Sequence, residues 1–208
     1  MRLEITATRS LAFTDGSPVR AASAIVAYAD GWLIAQDDST IGALEAACVL
    51  PDGTVLGSGS SPTRCRGIAL SEAARRVEDL TALHTRVAAT LTVPSDVLNL
   101  EGACVVGGRL RWFHRGLPAP GRPSARVDLP LDVPLGQVEP RDVLRYDLGS
   151  AAGVDLAVTD AVALDDGLVF VSAAAEDSPN SYDDAAPALR PGCSRGTRVV
   201  SCARGSRP

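Results

Sequence analysis

The chain has 208 residues, of which 46% are hydrophobic but only 4% aromatic, so a packed core must consist mainly of Val, Leu and Ala. All 20 basic residues are arginine and stand against 25 acidic residues, which leaves a net charge of −5. An acidic body disfavours nucleic acid and anionic membranes as partners, because they carry charge of the same sign. No stretch approaches the roughly 18 uninterrupted apolar residues of a membrane-spanning helix.

The N-terminal sequence and the cysteines predict a cytoplasmic protein. The first residues include Glu4 and lack a long apolar run, so we expect no secretory signal. The five cysteines form neither a CxxC pair nor a zinc-binding spacing, and an odd count is typical of reduced thiols. Cys48 and Cys104 follow alanine in apolar runs, where we expect them to serve as small core residues.

Strand patterns open the chain. Residues 2–9 alternate between apolar and polar, which predicts a first strand. Residues 21–39 predict a hairpin with a type I′ turn at Asp30-Gly31, and residues 44–59 repeat the pattern around Asp52-Gly53.

Residues 71–91 are the only stretch with helical spacing, so we expect a helical insertion near 72–91. The residues on its apolar stripe are Leu80, Leu83, Val87 and Leu91. Ser71 or Asp79 is a candidate N-terminal cap, and Pro94 ends the helix. We interpret His84, between two stripe residues, as a packing residue.

The segment from Asn99 to Gly116 predicts a further hairpin of the same pattern, in which two apolar runs flank the turn Gly107-Gly108. One face of its second strand carries Leu110, Trp112 and His114, and the other carries Arg109, Arg111 and Phe113. Alternation in the following Pro-rich connection predicts an irregular strand from Ala125 to Leu131 and a short one over 143–148. Residues 158–178 form the last such unit, turning at Asp166-Gly167.

Hairpins that repeat without helical crossovers predict an antiparallel, radially repeated fold. We therefore predict a mainly β chain that forms an incomplete β-propeller over residues 1–184, with a β-sandwich as the alternative. Residues 185–208 hold five arginines and no acidic residue. Because this composition cannot bury enough apolar area to offset the entropy of ordering, we expect a disordered basic tail, typical of a shifted GC-rich reading frame.

Three blocks of the sequence together resemble an uncharacterised family of high-GC bacterial proteins, a domain of unknown function. The blocks are RAASAIVAYADGWLIAQDDS, LNLEGACVVGGRLRWFHRGLP and VTDAVALDDGLVFVSAAAEDSPNSYDD. The resemblance implies a six-bladed propeller longer than this chain. The short segment between Asp38 and Leu44, and the tail after Asp184, then imply missing blades and a truncated, open ring. Exposed strand edges would favour self-association, marginal stability and aggregation.

Carboxylates at strand entrances and exits suggest a metal site. In a propeller the inner strands converge, so Glu101, Asp160 and Asp37 are candidate ligands for Ca²⁺ or Mg²⁺. Glu101-Gly102 also resembles the Glu-Gly that opens a strand in calcium-dependent lactonase- and esterase-like propellers, where the glutamate binds the metal. The alternative is that these acidic residues only end strands and keep edges soluble.

Candidate substrate contacts are Asn99, Arg115, Glu176, Asp177 and Tyr182, and His114 is a candidate general base. No GxSxG, HExxH, phosphate-loop or dinucleotide-binding motif is present. The residues leave open whether the protein is an enzyme. One hypothesis is a divalent-metal-dependent hydrolase of the lactonase or phosphoesterase kind. The other is a non-catalytic binding scaffold, with a non-functional truncated product as a further alternative.

Overall fold

The computed structural model describes residues 10–19, 22–36, 44–59, 65–71, 73–116, 122–151, 153–164 and 167–175, together with the backbone of 197–204. These residues form a mainly β fold, as the sequence predicted. The expected strand over 2–9 lies outside the described residues, as does the short segment between Asp38 and Leu44.

In the described part of the chain, fourteen strands form four antiparallel sheets in chain order. Sheet 1 contains β1 (Ala22–Tyr28) and β2 (Gly31–Gln36), and sheet 2 contains β3 (Ala46–Val49), β4 (Val55–Ser58), β5 (Arg66–Leu70) and β6 (Arg75–Asp79). Sheet 3 contains β7 (Leu100–Val106), β8 (Arg109–His114), β9 (Ala125–Pro130) and β10 (Arg141–Arg145). Sheet 4 contains β11 (Ser150–Ala151), β12 (Val154–Ala163), β13 (Leu168–Ala175) and β14 (Thr197–Arg204). The helix α1 spans Thr81–Leu91, and a 3₁₀ turn spans Ser95–Val97.

Sheets 2, 3 and 4 are each a four-stranded meander, in which every strand pairs with its neighbour in sequence. Several antiparallel sheets are therefore confirmed among the described residues, whereas the repeat stays a prediction. Strand β7 lies against β3 on one side and against β12 on the other. The propeller and its β-sandwich alternative remain predictions.

The hairpin formed by β7 and β8 has the predicted turn and faces. Gly107 and Gly108 both have positive φ, +58° and +73°, as a type I′ turn requires. Leu110 and Trp112 are buried in one core, and Phe113 is buried on the opposite face in another. Sheet 3 is thus covered on both faces.

Two cores flank sheet 3. The first joins residues of β3, β4 and α1 to Leu110, Trp112 and Val127 of sheet 3. The second joins Cys104 and Phe113 of sheet 3 to apolar residues of β12 and β13. Since β7 and β8 contribute to both cores, they hold the neighbouring sheets together.

The predicted helix is wrong in its first half. Residues 75–79 form the edge strand β6, which pairs with β5, and α1 begins only at Thr81. Most residues of Arg75–Asp79 are charged, so the segment lacks the apolar alternation by which a strand is recognised in sequence. Its conformation is decided by its pairing with β5. The N-cap residue of α1 is Leu80, so neither Ser71 nor Asp79 occupies the predicted cap position. The Asp79 carboxylate, one residue earlier, accepts hydrogen bonds from the Thr81 backbone N–H and hydroxyl at 2.8 and 2.5 Å.

The structure differs from two further expectations. The first hairpin turns at Ala29-Asp30, one residue earlier than predicted, and the positive φ of +49° falls on Ala29 and not on Gly31. Within the segment expected to be a disordered tail, Thr197–Arg204 forms β14 and pairs with β13. The expectation rested on composition, whereas three of the first four residues of β14 (Thr197, Val199 and Val200) are β-branched and favour a strand. Residues 185–196 and 205–208 lie outside the described part of the chain.

Candidate functional site

Four of the predicted site residues meet where β7 begins and β8 ends: Asn99, Glu101, His114 and Arg115. We call them the strand-end cluster. The Asn99 side-chain amide donates a hydrogen bond to Glu101 Oε1 at 2.7 Å, and Arg115 Nη1 lies 3.4 Å from the same oxygen. The Arg115 and Glu101 side chains are each 15% exposed. The antiparallel pairing of β7 with β8 brings these distant residues together, because Leu100 faces His114.

His114 is buried and is held by backbone. Its Nδ1 lies 3.1 Å from both the backbone nitrogen and the carbonyl oxygen of Asn99. The Asn99 N–H points at Nδ1 with hydrogen-bond geometry, so we assign Nδ1 as its acceptor and the ring proton to Nε2. Burial lowers the pKa of His114 to about 4. A ring with this pKa is neutral at pH 7 and is a weak general base.

Asp160 lies beside the start of β7, across the contact between sheets 3 and 4. A Cβ added to Gly102 would stand 2.8 Å from the Ala161 backbone nitrogen and 3.0 Å from the Asp160 carbonyl carbon. Only glycine allows this approach of the two backbones. Burial raises the pKa of the Asp160 carboxyl to about 6, although its Oδ1 accepts the Ala161 N–H at 2.7 Å.

The predicted metal ligands are brought together only in part. Glu101 is engaged by a guanidinium and an amide, and Asp37 lies outside the described residues. Among the residues that the structure describes, no three His, Cys, Asp or Glu side chains are placed to share a metal ion. The candidate substrate contacts Glu176, Asp177 and Tyr182 also lie outside the described part. The metal set therefore stays a prediction.

A small cavity of about 190 Å³ opens next to His114, between the C-terminal end of α1 and sheet 3. Its polar lining consists of His114, Thr92, Arg122 and Arg145, and the remaining six lining residues are apolar. Arg145 Nη2 donates to the Leu91 carbonyl at 2.9 Å and to Thr92 Oγ1 at 3.0 Å, which ties β10 to the end of α1. Sequence reasoning missed both arginines, because neither belongs to a motif.

A charged group buried between sheets 3 and 4 was also missed. The Asp128 carboxylate, 5% exposed, pairs with Arg126 and lies 3.4 Å from Arg111 Nε. Alternation along β9 was the available signal, because Asp128 lies two residues after Arg126 on that strand. Across the pairing with β8, Asp128 stands directly opposite Arg111. Nearby, burial raises the pKa of Cys104 to about 12, so this thiol is no nucleophile at neutral pH.

A family model described as a family of unknown function (DUF6910) matches residues 43–186. The chain belongs to the DUF6910 family. The prediction of membership in an uncharacterised family is thereby confirmed, whereas the high-GC bacterial origin and the propeller likeness remain predictions. The DUF6910 match contains the strand-end cluster and the cavity and ends before β14.

No curated protein and no solved structure matches the chain. Within the described part of this DUF6910 protein, no helix is long and apolar enough to cross a membrane.

Proposed function

We propose that this chain is a non-catalytic binding module, in which antiparallel sheets arranged as propeller blades hold a small ligand beside the β7–β8 hairpin. One observation carries the proposal. The polar groups of the strand-end cluster bind one another, while the adjacent cavity is lined by hydrogen-bond donors and by no carboxylate. Such a lining suits recognition and offers no nucleophile paired with a base.

The position of the cavity supports the same proposal. It lies where α1, β8, β9 and β10 meet, so its walls belong to elements that also form the first core. Binding sites built on such elements hold their donors in fixed positions. The buried thiols of Cys48 and Cys104, neither of which is in a disulfide, support a reducing, cytoplasmic location for the module.

Thermal unfolding of the full chain with three ring-shaped probes tests the proposal. Benzoate, benzamide and benzylamine have similar size but are anionic, neutral and cationic at pH 7. A ligand at ten times its dissociation constant stabilises the folded chain by about 1.4 kcal/mol, which corresponds to a Tm increase of roughly 3–6 °C. We expect at least one probe to raise Tm in a saturable way. If none does, the cavity is not a ligand site.

A divalent-metal-dependent hydrolase is the second candidate, favoured by the buried Asp160 carboxyl beside Glu101-Gly102. Calorimetric titration of Ca²⁺ or Mg²⁺ into the wild type and into Glu101→Ala separates the candidates. A metal-binding enzyme requires binding to the wild type that is lost in the variant. Absence of binding to the wild type ends the metal hypothesis and leaves the binding module.

A further inference from the structure

We infer that the cavity between α1 and sheet 3 binds a small organic anion, namely a carboxylate attached to a short apolar group. The inference rests on the proposed binding function and adds the chemistry of the ligand. Four features of the cavity carry it: two guanidinium groups, a neutral imidazole that donates a hydrogen bond, an apolar half, and a small volume.

The first feature is charge. Arg122 and Arg145 both line the cavity, and none of the ten lining residues is acidic. A guanidinium is always charged at neutral pH and matches the planar geometry of a carboxylate. An inserted cation would meet two like charges without a counter-charge in the wall. The lining therefore selects for anions.

The second feature is the donor supplied by His114. Because its Nδ1 accepts the Asn99 N–H, the Nε2–H is the group left to face the cavity that the ring lines. The low pKa of this imidazole keeps it neutral, so it contributes a directional hydrogen bond at pH 7 and not a third charge. A carboxylate oxygen is a suitable acceptor.

The third and fourth features limit the rest of the ligand. Leu91, Val93, Pro94 and Val97 provide an apolar part of the lining beside the polar groups. The volume of about 190 Å³ is below the ~300 Å³ at which sites for drug-sized molecules begin. A bare inorganic anion would leave the apolar wall unused, whereas a carboxylate on a small ring or short alkyl chain contacts both halves.

Backbone strain marks the same rim. Thr92 has a positive φ of +57°, which is unusual for a β-branched residue, and the hydroxyl of this residue accepts a hydrogen bond from Arg145. This left-handed residue ends α1, where the Val93 N–H donates to the Ala88 carbonyl at 3.0 Å. Arg145 and Thr92 thus form a fixed rim, and Arg122 is a second exposed arginine on the cavity wall.

Isothermal titration of the full chain with benzoate, benzamide, benzylamine and inorganic phosphate tests the inference. The variants are Arg122→Gln and the matched control Arg75→Gln, an exposed arginine on β6 that does not line the cavity. We expect benzoate to bind the wild type at least tenfold more tightly than benzamide or phosphate. We expect Arg122→Gln to weaken benzoate binding at least tenfold and Arg75→Gln to leave it within twofold. The Tm of each variant without probe verifies folding.

The outcomes separate the ligand class from the binding function. Benzamide binding as tightly as benzoate, or benzylamine binding in preference to both, overturns the anion inference and keeps the binding module. Phosphate binding without benzoate binding overturns the apolar part of the ligand. Equal loss in Arg122→Gln and Arg75→Gln shows non-specific attraction and overturns the site. Binding of no probe refutes both proposals.

Discussion

The two histidines of this chain are equally buried, at 2% exposure each, but only one has a hydrogen-bond partner, and this difference predicts opposite effects of the same substitution. Both ring nitrogens of His84 are buried without a hydrogen-bond partner among the described residues. The ring lies edge-to-face against Trp112, with centroids 5.4 Å apart. His84→Leu keeps the volume similar and removes the polar atoms.

The expected gain follows from these contacts. A buried polar group without a partner costs about 1–3 kcal/mol, while an edge-to-face ring contact contributes about 0.5–1.5 kcal/mol. His84→Leu should therefore raise the free energy of unfolding at pH 7 by about 1–2 kcal/mol. In His114→Leu the Asn99 N–H loses its acceptor, so this control variant should lose about 1–3 kcal/mol.

Acid should enlarge the stability advantage of His84→Leu over the wild type. Burial lowers the pKa of His84 to about 4 from its ordinary value of 6.5. The unfolded chain therefore binds the proton first, and the wild type loses about 3 kcal/mol as pH falls from 6.5 to 4. The His84→Leu variant lacks this loss.

Urea unfolding followed by tryptophan fluorescence, at pH 7 and pH 4.5, measures both effects through the transition midpoint. The reasoning is refuted if, at pH 7, His84→Leu destabilises the protein by more than 1 kcal/mol or both histidine variants shift the midpoint in the same direction.

Three further predictions concern Gly102, Asp160 and Trp32. Gly102→Ala should destabilise the chain by about 1–3 kcal/mol or more in a denaturation experiment, because its methyl group would meet the Ala161 backbone nitrogen at 2.8 Å. Gly136→Ala, with open space around the glycine and no positive φ, should stay within about 0.5 kcal/mol, and equal effects would contradict the close approach of β7 and β12. Asp160→Asn should stabilise the chain by about 1–2 kcal/mol at pH 8, because the raised pKa of Asp160 makes its ionised form costly above pH 6. The advantage should vanish below pH 4, and a pH-independent effect would rule out a buried carboxylate. Trp32, 68% exposed on the two-stranded sheet 1, should promote self-association. Trp32→Ser should then sediment as a smaller species than the wild type, and identical sedimentation would exclude this surface.

Local patterns predicted the hairpins well. Gly107-Gly108 fixed the β7–β8 turn because consecutive glycines accept the positive φ that a type I′ turn needs. The apolar stripe of α1 was predicted correctly because Leu83, Val87 and Leu91 recur at helical spacing and are all buried. The start of α1 was not predicted correctly, because the preceding residues form β6. That strand depends on its pairing with β5, which no local sequence pattern indicates.

The candidate site was predictable only where one hairpin contains it. Asn99, Glu101, His114 and Arg115 lie at the two ends of a hairpin, so its register alone places them together. The cavity was not predictable, because Thr92, Arg122 and Arg145 come from three separate segments of the chain. These segments meet only after sheet 3 packs on α1. The partners that neutralise Glu101 were likewise invisible until the register was known.

The most direct test of the binding site uses the two histidines as paired reporters. In the full chain with ¹³C-labelled histidine, benzoate is titrated while the two imidazole signals are followed by NMR. We predict a saturable shift of the His114 signal, since this ring lines the cavity, and no shift of the His84 signal, since that ring lies in the first core. If the His114 signal stays in place, or if both signals move alike, the cavity does not bind the ligand.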